Sequence, residues 1–231
     1  MNEPDAIAVN LAMIRRRIAD ATNACGRRPE DVALVAVSKT HPAEAIEAAI
    51  AAGQTLFGEN RVQEAQAKFP GLRRRHPGLR LHLIGPLQSN KIRDAVAIFD
   101  AIETVDRDKL ARGLAAEMKR SGRRPDCMIQ VNIGREPQKA GVMPERLDAL
   151  VALCRDELAL PLVGLMAIPP VGDPPAPHFA ALADLARRHR LAAVSMGMSG
   201  DFEIAIRHGA THVRVGTAIF GTRPSAVDPP S

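Results

Sequence analysis

The chain has 231 residues, of which 46% are hydrophobic and 25% are charged. These fractions and this length suit one sizeable α/β core and exclude a collagen-like, disordered or coiled-coil chain. The net charge of +5 is carried by short arginine runs interleaved with acidic residues, and aromatic residues make up only 3% of the chain, so solvated helix faces are favoured over a nucleic-acid surface.

The first predicted element is a helix over residues 5–24. Its apolar residues recur at spacings of four and three and form one helical stripe: Ile7, Leu11, Ile14, Ile18 and Ala21. Gly26 is a natural end for this helix. We therefore expect residues 1–26 to form an extra N-terminal helix packed on the domain that follows.

Eight short apolar runs after this helix predict strands. The runs cover residues 32–37, 55–57, 81–84, 101–105, 128–131, 162–168, 192–196 and 213–215, with helical patterns at 42–53, 61–69, 89–98, 108–121, 144–157, 176–190 and 201–208. Unbroken apolar strands are typical of parallel sheets, and the repeat of roughly 26 residues is the size of one βα unit. The fold class is therefore α/β. Regular repetition without a glycine-rich nucleotide turn favours a single (β/α)8 TIM-type barrel domain over residues 1–221 rather than an open doubly wound sheet.

Three segments interrupt this rhythm. Residues 70–78 predict a basic loop, residues 169–177 a stiff proline-rich loop, and residues 222–231 a flexible tail. No apolar run reaches the roughly 18 residues of a membrane helix, and the N-terminus lacks the layout of a secretion signal. We therefore expect a cytoplasmic protein without membrane contact. Three widely spaced cysteines predict reduced, mostly buried thiols and no metal site.

Lys39 is the first candidate for chemistry. The active face of a barrel lies at the C-terminal ends of its strands, and Lys39 directly follows the first strand. It continues the apolar face of Val35 and Val37, and a lysine that is partly desolvated in this way can attack an aldehyde. The alternative is a lysine that extends to solvent from a strand end.

A candidate anion site follows strand seven. Residues Ser195 to Asp201 predict a strand, a small-residue turn and a helix start, so backbone N–H groups near Ser199 would hold an anion. Gly216 and Thr217 follow strand eight, and loops after strands seven and eight are frequent phosphate sites in barrels. The alternative is a tight turn whose glycines serve only the backbone. A lysine at one end of a pocket and a phosphate cradle at the other describe a site for pyridoxal 5′-phosphate.

Further polar residues lie on or after the strands. Arg214 shares a strand face with Gly216, and a buried arginine needs a partner, either a pyridine nitrogen or a carboxylate. His82 is predicted to be a core histidine with satisfied hydrogen bonds. Glu59 and Glu64 are possible catalytic carboxylates, although solvated or capping roles are more common.

Seven segments of the chain resemble the pyridoxal-phosphate homeostasis protein family. They run in order from residue 36 to 221: Ala36-Val-Ser-Lys39-Thr40, Phe57-Gly-Glu-Asn60-Arg-Val-Gln-Glu64, His82-Leu-Ile-Gly85-Pro-Leu-Gln88-Ser-Asn-Lys91, Gln130-Val-Asn132, Gly164-Leu-Met166, Ser195-Met-Gly-Met-Ser199 and Arg214-Val-Gly216-Thr217-Ala-Ile-Phe220-Gly221. The resemblance implies a single barrel like the N-terminal half of alanine racemase, with pyridoxal 5′-phosphate held as an internal aldimine. The implied ligands are Lys39 for the aldehyde, Ser199, Gly216 and Thr217 for the phosphate, Arg214 for the pyridine nitrogen and Asn60 beside the ring.

Three functions remain open from the sequence. The resemblance implies a cofactor carrier that buffers pyridoxal 5′-phosphate or delivers it to apo-enzymes, without robust catalysis. The alternative is an amino-acid racemase or lyase, but a two-base racemase like alanine racemase would need a tyrosine, and the chain has none. A third hypothesis is a regulatory module that binds a partner through residues 70–80 or 169–177. Because every implied ligand lies in one chain, we expect a monomer.

Overall fold

Eight parallel strands form a closed barrel in the computed structural model, which describes residues 3–221. The strands are β1 (Ala33–Val37), β2 (Leu56–Glu59), β3 (Arg80–Leu83), β4 (Ala101–Val105), β5 (Asp126–Gln130), β6 (Leu162–Met166), β7 (Ala193–Ser195) and β8 (His212–Val215). Each strand pairs with the next in sequence, and β8 closes the barrel on β1, where Ala33 pairs with His212. The predicted (β/α)8 barrel is confirmed.

Helices surround the barrel and connect its strands. Their bounds are α1 (Glu3–Asn23), α2 (Ala43–Ala51), α3 (Val62–Arg75), α4 (Ile92–Ile98), α5 (Asp108–Ser121), α6 (Leu147–Ala152), α7 (Pro175–Arg188), α8 (Phe202–Arg207) and α9 (Thr217–Phe220). Short 3-10 turns lie at Pro29–Asp31, Ser89–Lys91 and Pro144–Arg146, and a π-helical turn at Leu153–Glu157 follows α6. The predicted helix over 144–157 is therefore three consecutive short segments.

The barrel wall is buried on both faces, as the unbroken apolar runs predict. Phe57 on β2 points outward, where its ring lies 5.9 Å from that of Phe69 on α3. The next residue, Gly58, points inward, and a Cβ there would stand 2.8 Å from Val35 on the neighbouring strand. Glycine fits this position because the inward side chains of Val35 and Ile84 already fill the space.

Helix α1 packs across α2, α8 and α9. Its predicted apolar stripe is buried, and Leu11 and Ile14 are fully inaccessible to solvent. Two polar contacts fix the helix on the barrel: Asn10 donates to the carbonyl of Ile219 at 2.9 Å, and Arg17 pairs with Glu203 at 2.8 Å. Burial of one apolar stripe explains why this helix forms outside the repeating units.

Residues 70–75 belong to α3, so the predicted loop over 70–78 is wrong for this part. Pro70 and Gly71 disfavour a helix locally. However, Phe69 and Leu72 are fully buried in the core, and Arg73 donates to the carbonyl of Ile98 at 2.7 Å. These tertiary contacts outweigh the local propensities and carry the helix past the proline.

Three further sequence predictions concern the cysteines, membrane-spanning helices and the C-terminal tail. Cys127 and Cys154 are buried as expected, whereas Cys25 is exposed, and the three thiols are free. Across residues 3–221, the helices are too short or too polar to cross a bilayer. The predicted flexible tail, residues 222–231, lies outside the residues that the structure describes.

Candidate functional site

A cavity of about 310 Å³ opens at the C-terminal ends of the strands. Six residues that the sequence singles out all line it: Lys39, Asn60, Ser199, Arg214, Gly216 and Thr217. They come from the segments that follow or end β1, β2, β7 and β8. Closure of the barrel through the β8–β1 pair is what brings the two ends of the chain to one mouth.

Lys39 occupies a tight turn after β1. Its side chain is half-buried at the cavity beside Val37, while Ser38 is fully buried and donates its backbone N–H to Gly58 at 3.1 Å. Thr40 has a φ of +66°, which is left-handed backbone. A threonine in this conformation costs about 1–2 kcal/mol, so surrounding contacts must hold the turn.

Glu59 and Glu64 both contact this turn, at Ser38 and Thr40, and neither lines the cavity. The predicted solvated role is wrong for Glu59, which is fully buried and ion-paired with Lys68 at 2.7 Å. Burial raises the pKa of Glu59, although the Lys68 ammonium and the Ser38 hydroxyl oppose this. One carboxylate oxygen of Glu59 has no hydrogen-bond partner among the described residues.

The turn between β7 and α8 forms a concave run of backbone. Gly197 has a φ of +89°, and a Cβ there would stand 2.6 Å from that of Ala205 and 2.9 Å from the Cα of Phe202. Only glycine fits such a position. The Asp201 carboxylate accepts the N–H of Met198 at 2.6 Å, which shapes the turn that presents Ser199 and Gly200 to the cavity.

Gly216 and Thr217 form a second stretch of backbone at the cavity, where Gly216 precedes α9 and Thr217 is its first residue. The first N–H groups of a helix have no partner within the helix. Within residues 3–221, the N–H groups of Ser199, Gly200, Gly216 and Thr217 donate to no backbone acceptor. Together with the hydroxyls of Ser199 and Thr217, they give one side of the cavity a set of donors suited to an anion.

Arg214 connects the cavity to the barrel interior and is only 4% exposed. Its guanidinium donates to Ser195 Oγ at 2.6 Å and to the carbonyl of Ala167 at 2.9 Å. Ser195 in turn donates to Glu103 Oε2 at 2.6 Å, and Glu103 Oε1 lies 2.7 Å from His82 Nδ1. Arg214 thus has the predicted carboxylate partner in Glu103, to which Ser195 connects it. His82 is buried and hydrogen-bonded, so its predicted role as a core histidine is confirmed.

The charges in this interior network are strongly perturbed. Burial alone would raise the pKa of Glu103, but the hydrogen bond and charge of His82, the charge of Arg214 and the Ser195 hydroxyl outweigh it and lower the pKa to about 2. Burial lowers the pKa of the neighbouring His212 to about 4. Glu103 is therefore ionised and compensates the Arg214 guanidinium, which never deprotonates in proteins.

Asn60 borders the cavity at the exit of β2, and its backbone lies close to that of Gly85. A Cβ at residue 85 would stand 2.3 Å from the carbonyl oxygen of Asn60 and 2.7 Å from its Cα. The absence of a side chain at Gly85 therefore allows the loops after β2 and β3 to touch through their backbones.

Other polar residues singled out by the sequence do not line the cavity. The Asn132 side chain instead organises its own loop, donating to the carbonyl of Glu136 at 2.7 Å. The polar run over residues 88–91 is also absent from the cavity wall. Conversely, the cavity contains side chains that sequence reasoning missed: His41, Ile84, Ile168 and Met198.

Glu103 and Lys68 are the most informative of the missed residues. A carboxylate inside the apolar run of β4 signals a buried partner, because an unpaired buried charge is costly. Lys68 follows Glu64 by four residues on one helix face, which signals an ion pair. Neither signal identifies the segments that these side chains contact.

The donor set fits pyridoxal 5′-phosphate. The cavity presents one amine at Lys39, a buried guanidinium at Arg214 and the N–H groups near Ser199 and Thr217. These match an aldehyde, a pyridine nitrogen acceptor and a phosphate dianion in turn. Histidine, cysteine and acidic side chains of residues 3–221 form no cluster that could hold a metal ion.

Known proteins similar to this chain cover nearly its whole length. The family described as alanine racemase, N-terminal domain, matches residues 9–224. Proteins named pyridoxal phosphate homeostasis protein from Escherichia coli and Pseudomonas aeruginosa are 43% and 45% identical, over 94% of this chain and 97% and 96% of theirs. The solved structure of PipY from Synechococcus elongatus with PLP bound is 41% identical, with a TM-score of 0.81 over 93% of this chain and 100% of that one.

Proposed function

Because the chain belongs to the alanine racemase N-terminal domain family, and within it to the pyridoxal phosphate homeostasis proteins, we propose that it binds pyridoxal 5′-phosphate and serves vitamin B6 homeostasis. In this role it buffers the free cofactor or delivers it to apo-enzymes. When bound, the cofactor supplies a reactive aldehyde on a pyridine ring that also carries a phosphate. One observation carries the proposal: an amine and an anion cradle line the same cavity of about 310 Å³.

Each cavity residue has a proposed task. Lys39 provides the amine, which condenses with the aldehyde, forming a carbon–nitrogen double bond and releasing one water. The phosphate is bound by Ser199, Gly216 and Thr217 through backbone N–H groups and hydroxyls. Arg214 donates a hydrogen bond to the pyridine nitrogen, and Asn60 borders the ring.

Arg214 also supports a carrier rather than a robust enzyme. A guanidinium that stays protonated leaves no proton for the pyridine nitrogen, and an unprotonated ring withdraws electrons poorly. The buried Glu103 carboxylate, 3.9 Å from the Arg214 guanidinium, stabilises the positive charge of Arg214. The second candidate function, an amino-acid racemase or lyase, is favoured by the family match, but none of the 231 residues is the tyrosine that a two-base racemase would use.

The proposed ligands all lie in one chain, which supports a monomer as the functional unit. Delivery to apo-enzymes is either by direct transfer or by release of the cofactor into solution. A test is to mix the loaded protein with an apo-enzyme in the presence of a phosphatase that destroys free cofactor. Reactivation at the same rate as without phosphatase supports direct transfer, and its loss supports buffering alone.

The binding proposal is tested by trapping the cofactor covalently. The protein is incubated with pyridoxal 5′-phosphate, reduced with borohydride, digested and mapped by mass spectrometry. We expect a visible absorption band before reduction and a label on Lys39. Lys39→Ala should lose both, whereas the control Lys109→Ala, at an exposed lysine, should keep them. A colourless wild-type protein or a label on another lysine would overturn the assignment.

The carrier proposal needs a parallel assay. Loaded protein is incubated with a panel of L- and D-amino acids, and racemisation or cleavage is followed by chiral chromatography. We expect no turnover above that of free cofactor. Turnover that depends on Lys39 and approaches typical enzyme rates of about 1–1,000 per second would support the racemase or lyase instead.

A further inference from the structure

A single ammonium group binds the backbone on both sides of Lys39. Lys68 on α3 donates from Nζ to the carbonyl oxygen of Ser38 at 3.0 Å and to that of His41 at 3.2 Å. These two carbonyls flank the pair Lys39–Thr40 in sequence. Lys68, which does not line the cavity, therefore closes the turn that carries the cavity amine.

Two carboxylates hold this ammonium in place. Lys68 Nζ lies 2.7 Å from Glu59 Oε1 and 2.9 Å from Glu64 Oε1. Glu59 Oε1 also accepts the hydroxyl of Ser38 at 2.7 Å. Glu64 Oε1 accepts the backbone N–H of Thr40, so the second carboxylate binds the turn directly as well.

The burial of these groups indicates more than a surface ion pair. The side chain of Lys68 is 10% exposed and that of Glu59 is not exposed at all. An ammonium has three protons, and here four oxygens lie within hydrogen-bond distance, two of them backbone carbonyls of one turn. An exposed i,i+4 pair on a helix would leave such carbonyls to water.

The turn needs such support because of its conformation. Thr40 has left-handed backbone, which threonine rarely adopts without contacts that impose it. The N–H of Thr40 and the carbonyls before and after the Lys39–Thr40 pair are all bound by the Lys68–Glu64 pair. The two helix side chains thus fix the backbone from which the Lys39 side chain extends.

We propose that Lys68, with Glu64, is a positioning residue for Lys39: it holds the turn over residues 38–41 so that the amine of Lys39 faces the aldehyde of a cofactor already bound by its phosphate. This inference rests on the proposed function. It deepens it by separating two events at one site. Phosphate binding depends on the segments after β7 and β8 and ring binding on Arg214 and Asn60, whereas covalent capture depends on the geometry of the turn after β1.

Two ligands separate these events experimentally. Pyridoxal 5′-phosphate carries the aldehyde and reports capture through its visible band and through borohydride labelling of Lys39. Pyridoxine 5′-phosphate carries an alcohol in its place, so its affinity reports phosphate and ring binding only. The variants are Lys68→Met, the milder Glu64→Gln and the control Lys119→Met at an exposed lysine of α5. Circular dichroism and urea midpoints establish that each variant is folded.

We expect Lys68→Met to slow capture at Lys39 by about 10- to 100-fold, because misplacement of a reacting group by about 1 Å has effects of this size. Its affinity for pyridoxine 5′-phosphate should stay within about twofold of wild type, as should both properties of Lys119→Met. Glu64→Gln should show the same separation with a smaller effect, and it provides the test if Lys68→Met does not fold.

The outcomes distinguish the two proposals. If wild-type protein captures the cofactor at Lys39 and the variants capture it equally fast, Lys68 is not a positioning residue although the proposed function stands. Equal losses of capture and of pyridoxine 5′-phosphate affinity would show general support of the pocket and would also overturn the inference. If wild-type protein fails to label Lys39, the proposed function falls, and the inference falls with it.

Discussion

The guanidinium of Arg214 lies 3.9 Å from the carboxylate of Glu103, and both groups are almost completely buried. The hydroxyl of Ser195 lies between them, accepting from Arg214 and donating to Glu103. Breaking a buried ion pair by removing one partner is far more costly than losing a surface pair, because it leaves a buried charge uncompensated. The chemistry of the cavity thus depends on an acid that does not line it.

Glu103→Gln should therefore weaken cofactor binding without touching the cavity wall. The amide keeps the shape but removes the charge that orients Arg214, and a hydrogen bond to a charged group contributes about 1.5–3 kcal/mol. We expect affinity for pyridoxine 5′-phosphate to fall at least about tenfold, measured by calorimetry. The control Glu157→Gln removes an exposed carboxylate and should bind normally. Unchanged affinity in Glu103→Gln would contradict the role of the network.

His212 should make the fold sensitive to mild acid. Burial lowers the pKa of His212 from 6.5 to about 4, with Glu103 opposing and His82, Arg214 and Arg80 adding to the shift. His212 therefore becomes protonated near pH 6.5 in the unfolded chain but only near pH 4 in the folded chain. Because the unfolded chain binds more protons between these limits, the free energy of unfolding falls as pH drops from about 6.5 to about 4.

His212→Gln removes this proton uptake. As pH falls from about 6.5 to about 4, the free energy of unfolding should therefore decrease less in the variant than in wild type. The difference between the two decreases should be up to about 3 kcal/mol. Urea unfolding at several pH values measures the difference. Parallel pH profiles for the two proteins would show that His212 does not account for the acid sensitivity.

Gly197→Ala should damage the turn that presents Ser199. The added Cβ would clash with the backbone of Phe202, and alanine would have to adopt left-handed backbone. We therefore expect the free energy of unfolding to fall by at least about 2–3 kcal/mol and the affinity for inorganic phosphate to fall as well. Gly122→Ala is the matched control, since Gly122 has a φ of +73° with open space around it. It should cost about 1 kcal/mol and leave phosphate binding intact. Similar losses in both variants would show that contact at Gly197 is unimportant.

Thiol labelling should report the burial of the cysteines. Burial raises the pKa of Cys154 to about 12 and raises that of Cys127 further, whereas Cys25 is exposed. Only thiolates react, so the native protein should react at one thiol and the urea-unfolded protein at three. Cys25→Ser should abolish the native reaction. Fast labelling of a second thiol in native protein would contradict the burial of Cys127 and Cys154.

The sequence predicts the barrel well because its periodicities are local. Unbroken apolar runs and their spacing identify the eight strands and the order of units, and the N-terminal stripe identifies α1. The prediction is wrong at residues 70–75, where burial of Leu72 and the contacts of Arg73 maintain a helix that proline disfavours. Helix α9 is also absent from the sequence prediction, since four residues carry no periodic signal.

The site is predictable only in part, for the same reason. Lys39 and the Ser199 turn follow from strand ends and glycine-rich turns, which are local. The Glu103–Ser195 bond joins residues 92 positions apart, and Lys68 reaches the Ser38 carbonyl across 30 positions. A buried charge in the sequence signals that some partner exists, but only the closed barrel determines which one.

Gly85 and Asn60 place a constraint on any attempt to redesign this protein. The loops after β2 and β3 touch through their backbones, so a side chain at residue 85 would displace the loop after β2. Libraries that diversify the chain after β3 to admit bulkier ligands should therefore keep glycine at this position, because any residue at position 60 would present the same backbone atoms. The loops after β2 and β3 are separate in sequence, but a change in the backbone of one requires a change in the backbone of the other.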